Sequence, residues 1–289
     1  MKIAIVGLGL IGGSMGLALR RSSENLEIVG YARREDVATR AVQLGVVDRT
    51  ERDLVNVVKG AELVFIATPV MAIRGILQEI GLCLKEGCIV TDAASTKAQV
   101  MRWAEEQLPW GISFIGGHPM AGKETSGIEA AHADLFTGCT YCLVPGRGAT
   151  KEAGERVEEL VRWVGASPVC IDAAEHDLLV AAISHLPILV SSALVRVATR
   201  SPQWSKMAEL AATGFRDVTR LASGSPAMSR DICLTNREPI LRWLDEYISD
   251  LGTLRRLVAE GGSELEDAFV RAKEQRESWL GLLRDRGAG

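Results

Sequence analysis

The stretch KIAIVGLGLIGGS, residues 2–14, decides the fold. KIAIV is a short β-branched run that reads as a strand, and the glycines at 7, 9 and 12 after it fall in GxGxxG spacing. Gly7 allows a tight turn, Gly9 lets backbone approach a pyrophosphate, and Gly12 lets a helix pack against the strand. The helix opening at Ser14 directs unpaired N–H groups and its dipole at the phosphates. A glycine-rich loop alone says little. One that follows a strand, opens a helix and begins at residue 7 marks a dinucleotide-binding unit.

Outward from this loop, strands and helices alternate. LEIVGY (26–31), AELVFIAT (61–68, stopped by Pro69), GCIVTDA (87–93), ISFIGG (112–117), TYCLVP (140–145) and SPVCID (167–172) read as strands. Helical patterns separate most of them: REDVATRAVQLG (34–45), AIRGILQEIGLCL (72–84), KAQVMRWAEEQL (97–108) and EAGERVEELVRWVG (152–165). This alternation predicts an α/β, Rossmann-type doubly wound fold with a mostly parallel sheet. From about Ala173 the pattern turns all-α, so the expected domains are 1–172, dinucleotide-binding, and 173–289, helical and dimerising. The segment 175–200 is apolar around much of its circumference and is expected to be buried on most sides, with Pro187 kinking it near 183–187.

Composition narrows the function. The 289 residues carry a net charge of −4, which argues against a nucleic-acid partner. Six cysteines do not make a disulfide scaffold, and Cys139 and Cys142 lie on a strand where positions three apart face opposite sides, so no metal is expected. Residues 3–19 are apolar, but Arg20 and Arg21 stand where a signal-peptide cleavage site would lie. Leu178 to Val195 has His185 as its sole ionisable residue, yet it holds Pro187 and three serines. A helix buried in a core or a subunit interface is expected there, not a membrane span, and the protein is expected in the cytoplasm as a homodimer.

The cofactor choice turns on GYARRED, residues 30–36. Ala32 lies twenty residues after Gly12, where an acid would grip the ribose of NAD. Its absence removes repulsion of a 2′-phosphate, which Arg33 or Arg34 can meet. NADP+ is therefore favoured, with NAD+ possible. The polar stretch GGHPMAGKETSG, residues 116–127, follows a strand on the side where open α/β sheets bind ligands, which makes His118 a candidate general base.

At this point the chain resembles the prephenate and arogenate dehydrogenases of tyrosine biosynthesis. The resemblance rests on GLGLIGGS (7–14), ATPV (67–70), TDAASTK (91–97), GGHPMAGKETSG, HD (176–177) with SHLP (184–187), and GFRDVTR (214–220), in that order. It implies oxidation of a cyclohexadienol with NAD(P)+, with loss of CO2 and formation of a phenol. It also implies His118 as the catalytic base, Ser95 orienting it near the nicotinamide, and Glu124 at the site entrance. Arg220 is implied to bind a substrate carboxylate, with Asp217 one turn before it. His176, Asp177 and His185 match family positions, and packing is as good an account of them. Leu10, Ile11, Thr68 and Pro69 join the glycines as implied cofactor contacts. His132 has no counterpart and reads as surface.

Three positions depart from the pattern. Ile188 stands where some members carry a second imidazole, Ser229 where some carry Trp, and Ala32 where many NAD-using members carry Asp. These changes bear on substrate and cofactor choice, not on reaction class. Two rivals are a β-hydroxyacid dehydrogenase or imine-reducing enzyme, and a dinucleotide-sensing protein without catalysis. The ordered set of His118, Ser95 and Arg220 argues against both.

Overall fold

The computed structural model describes residues 1–22, 25–122 and 125–285. Its first part runs β1 (Lys2–Val6), α1 (Leu10–Leu19), β2 (Glu27–Tyr31), α2 (Glu35–Gln43), β3 (Arg49–Thr50) and α3 (Leu54–Val58). It continues through β4 (Leu63–Ile66), α4 (Val70–Ile80), β5 (Ile89–Asp92), α5 (Ala98–Gln107) and β6 (Ser113–Pro119). β7 (Thr140–Pro145), α6 (Lys151–Trp163) and β8 (Ser167–Cys170) complete the sheet. The remainder is helical: α7 (Ala173–Val180), α8 (Leu186–Thr199), α9 (Trp204–Leu210), α10 (Thr213–Thr219), α11 (Pro226–Thr235), α12 (Arg237–Glu260) and α13 (Ser263–Asp285).

The eight strands form one sheet in the order β3-β2-β1-β4-β5-β6-β7-β8. Neighbours are parallel except β6 and β7, whose antiparallel pairing sets His118 opposite Cys142. Strand order reverses beside β1, so the crevice beyond the C-terminal ends of β1 and β4 is the ligand side. β4 is fully buried on both faces, as its unbroken apolar run LVFI requires. Two apolar clusters flank the sheet, one around Val6, Ile66 and Ile73 and the other around Ile5, Met15 and Phe65. The elements β3 and α3 escaped the sequence reading because each is five residues or shorter, with no periodicity to detect. Asp53 nonetheless caps α3, accepting from Val55 N at 2.7 Å.

The chain divides into two compact units, 1–237 and 238–289. The helices α7 to α11 thus lie in the first unit with the sheet, and compactness does not divide the chain at 172/173. The long helices α12 and α13 make up most of the second. Within the first unit, α7 and α8 form one continuous helix, Ala173–Thr199, joined by a π-helical turn over Ala181–His185. Pro187 has no N–H to donate and crowds the turn before it, and the helix widens there instead of breaking. It is long and apolar enough to span a membrane, but only 22% of its apolar window is buried. Leu179, Ile183, Leu194 and Val197 are exposed in the single chain, so among the described residues the expected cover for this face is not found within one chain.

The tightest contact in the fold is at the first loop. Gly7 has φ +101°, and a Cβ on Gly12 would lie 1.9 Å from the Gly7 carbonyl oxygen. Gly12→Ala is expected to force the loop apart, with a cost of roughly 1–3 kcal/mol as for other overpacked sites. Thermal unfolding and a cofactor titration check this: Tm and affinity should both fall, and wild-type values for both would contradict the packing account.

Candidate active site

Two features of the loop after β1 fit a dinucleotide. Gly9 is the N-cap of α1 and offers no side-chain cap, and a Cβ there would meet nothing within 4 Å, which leaves room beside the helix N-terminus for a ligand. Thr68, beside Gly7 at the end of β4, buries its Oγ1 without a hydrogen-bond partner. An orphaned hydroxyl beside a glycine loop suits a ligand that supplies the missing bond. Leu10 and Ile11 open α1, and Pro69 caps α4.

At the end of β2, Ala32 is half-buried and packs on the apolar cluster. Arg34 donates through Nε to Asp36 at 3.0 Å and through a terminal nitrogen to the other carboxylate oxygen. That guanidinium is occupied. Arg33 is exposed and makes no such pair.

His118 belongs to β6, which continues two residues beyond the glycines into His118 and Pro119. The sequence placed it in a loop; antiparallel pairing with β7 carries the strand further. The backbone just before it is gripped from both sides. Gly117 N–H donates to Asp92 Oδ1 at 3.0 Å, and Lys97 Nζ donates to Gly117 O at 2.6 Å. Lys97 also pairs with Asp92, and both side chains are fully buried. Burial lowers the Lys97 pKa from its ordinary value while Asp92 opposes the shift. A Cβ on Gly117 would come within 2.4 Å of the Asp92 carbonyl, so only glycine permits this approach. Removing one partner of such a buried pair typically costs about 3–5 kcal/mol, because the other charge is left uncompensated.

The imidazoles gather around this clamp. His118 Nδ1 lies 2.8 Å from His176 Nε2, and His176 Nδ1 lies 2.8 Å from Asp177 Oδ1. Asp177 in turn accepts from Lys97 N at 2.7 Å and Ala98 N at 2.9 Å. The helix α5 has no side-chain cap of its own, so Asp177, eighty residues away in sequence, supplies it. Asn236 Nδ2 donates to the Asp177 carbonyl at 2.7 Å and to His185 Nδ1 at 3.1 Å. His185 therefore carries its hydrogen on Nε2, a buried atom with no partner in hydrogen-bond geometry, although the Ser95 backbone acts on the ring and favours its protonated form. A bond between the Thr96 and Thr235 hydroxyls at 2.9 Å ties the β5–α5 loop to α11.

Burial drives the His118 pKa well below 6.5, and the neighbouring His176 and Lys97 add to the shift. Burial likewise pushes His185 down to about 4, with Asp177 pulling the other way. Both rings are neutral at neutral pH. His118 can accept a proton and His185 can donate a hydrogen bond, in one water-poor interior.

The remaining expected site residues lie around this cluster in sequence, and the structure treats them unevenly. Ser95 is half-buried in the β5–α5 loop, but the partner of His118 Nδ1 is His176. Ile188 is half-buried in the first turn of α8. Arg220 is exposed at the end of α10, where a 3-10 turn, Arg220–Ser223, is held to α8 by Ala222 N donating to Ser191 Oγ at 2.9 Å. Asp217 pairs with its neighbour Arg216. Glu124 lies outside the described residues. His132 is half-buried and not on the surface: its N–H donates to Ser14 Oγ at 3.0 Å. Asp92 and Lys97 fall within the TDAASTK motif and Asn236 in no motif, but nothing local in the sequence reports that all three are buried together.

Comparison with known proteins meets this geometry. Residues 15–170 match the family described as prephenate dehydrogenase, nucleotide-binding domain, and residues 172–274 match prephenate dehydrogenase, dimerization domain. The chain is 39% identical over 290 residues to prephenate dehydrogenase of Bacillus subtilis, covering 99% of this chain and 77% of that one. It is similar to a solved structure of prephenate dehydrogenase from A. aeolicus in complex with hydroxyphenyl propionate and NAD+, with TM-score 0.90 and 30% identity over 96% of this chain and 98% of that one. It is also similar to Synechocystis arogenate dehydrogenase, with TM-score 0.83 and 31% identity over 96% and 100%.

The two neutral imidazoles make stability depend on pH. Below 6.5 the unfolded chain takes up protons that the folded chain refuses, so stability is full above 6.5 and falls toward pH 4. His185 alone contributes a slope of about 1.4 kcal/mol per pH unit in that window, and His118 acts with the same sign. Urea unfolding at pH 7.5 and pH 5 should show a lower midpoint at pH 5. An equal or higher midpoint at pH 5 would mean that the rings are not buried neutral.

Proposed function

The chain belongs to the prephenate dehydrogenase family, and from that premise we propose that it oxidises prephenate, arogenate or both with NAD(P)+. The carrying observation is His118, a buried and neutral imidazole at the ligand-side end of a dinucleotide-binding sheet. The nicotinamide cofactor, when bound, supplies a hydride acceptor. As hydride leaves C4 of the substrate ring, His118 takes the proton of the C4 hydroxyl, so the C–O bond can become a carbonyl. The bond from C1 to its carboxylate then breaks, CO2 departs, and the electron pair enters the ring. The proton returns from His118 to the resulting phenolate oxygen. A charged imidazole could not begin this sequence, which is why the low pKa serves the chemistry.

The other roles are those that the resemblance to the family suggests. His185 offers its unpaired Nε2–H to a substrate oxygen. Arg220 binds a substrate carboxylate with its planar fork, Asp217 helps to place it, and Ile188 borders the substrate's side chain. The resemblance gives Ser95 a part in orienting His118 near the nicotinamide and gives Glu124, which is outside the described residues, a part in substrate entry. Gly7, Gly9, Leu10, Ile11, Gly12, Thr68 and Pro69 hold the cofactor. We take 1–172 as the cofactor-binding part and 173–289 as the part that binds substrate and dimerises. The exposed apolar side chains Leu179, Ile183, Leu194 and Val197 support a homodimer over a membrane span, and we place the enzyme in the cytoplasm.

For the cofactor we favour NADP+. Ala32 presents no acid to repel a 2′-phosphate, and Arg33 is the guanidinium not engaged by Asp36. Ala32→Asp combined with Arg33→Ala should reverse the preference by about tenfold or more, the worth of one charge-assisted hydrogen bond. Steady-state kinetics with both cofactors checks this, and a wild type that already prefers NAD+ tenfold would leave Arg33 as a solvated side chain.

The reaction itself is tested at 340 nm with prephenate and arogenate, each with NAD+ and NADP+. Turnover is expected with at least one pair and none in its absence. In the same assay His118→Asn should bind cofactor normally yet lose roughly 10²-fold or more in kcat, the usual contribution of a positioned base. Wild-type turnover in that variant would falsify the assignment of His118.

A further inference from the structure

We propose that Asp177, acting through His176, sets the tautomer of His118, so that the ring keeps its hydrogen on Nδ1 and presents a bare Nε2 to the substrate hydroxyl. The inference rests on His118 being the base, and adds two positioning residues to it.

A carboxylate only accepts, so the 2.8 Å contact between His176 Nδ1 and Asp177 Oδ1 requires the hydrogen to sit on His176 Nδ1. Asp177 cannot turn away, because Lys97 N and Ala98 N hold the same carboxylate in place. A neutral His176 then has a lone pair on Nε2, and the 2.8 Å contact to His118 Nδ1 requires His118 to be the donor. A neutral ring with hydrogen on Nδ1 has its lone pair on Nε2. The ring planes meet at 68°, so the contact is edge-on as a hydrogen bond demands, not a stack.

Substitution at two positions tests this. In Asp177→Asn the neutral amide can either accept from or donate to His176 Nδ1, so neither tautomer is fixed any longer. kcat should fall by about 10²-fold or more, as when the carboxylate behind a catalytic histidine is made an amide, while KM and cofactor affinity stay within about twofold. His176→Gln keeps an acceptor for His118 and a donor for Asp177, whereas His176→Leu keeps neither. The Gln variant should turn over at least about tenfold faster than the Leu variant, with KM alike in both. Should Asp177→Asn fail to fold through loss of the α5 cap, the His176 pair decides alone. Equal kcat in the Gln and Leu variants overturns the proposal. His118→Asn, assayed alongside, separates the two readings. If it is inactive while the His176 variants match wild type, only the tautomer account fails; if it is fully active, the base assignment fails first.

Discussion

The carboxylate of Asp177 is buried and accepts three hydrogen bonds, two from backbone N–H groups that open α5 and one from His176. The rest of the site depends on that convergence. The helix α5 carries no cap of its own, so an acid on α7 completes it and fixes the helical segment against the end of the sheet. Asn236 bonds the carbonyl of the same residue and reaches on to His185. A single residue therefore couples a strand-end loop, a helix N-terminus, a π turn and the end of α11.

The second constraint is the clamp on Gly117. Asp92 and Lys97 satisfy its N–H and C=O without help from solvent, and the ion pair neutralises itself in an interior that would otherwise reject either charge. Burial at that depth is also what keeps His118 uncharged. Lys97 takes part in both arrangements, its side chain on Gly117 and its backbone N–H on Asp177. Catalytic geometry and protonation state thus share their supports, and the interior pays in stability at low pH for a base that is ready at neutral pH.

What was legible in the sequence was what depends on neighbours along the chain. The glycine loop, the alternation of strands and helices and the irregularity before Pro187 all follow from local rules, and each appears in the structure. The motif TDAASTK was visible, yet nothing in it distinguishes a buried Lys97 from a solvated one, because burial is decided by residues as distant as Asp177. The pairing of Arg34 with Asp36 was equally hidden: two arginines in a row look alike until one finds its acid two residues on. His132 was misjudged for a related reason, since its hydrogen bond to Ser14 spans 118 positions. The exposed apolar residues of α7, the π turn and α8 mark a different limit. An apolar surface predicts burial, but it does not say whether the cover comes from the same chain.

The central claim is that Asp177 fixes where the hydrogens lie on the active-site imidazoles. With four histidines in the chain, nitrogen-15 NMR of the wild-type side chains at pH 8 can be assigned by substitution and reads those positions directly. The account predicts hydrogen on Nδ1 of His118 and His176 and on Nε2 of His185. A His118 signal showing the hydrogen on Nε2 would contradict it.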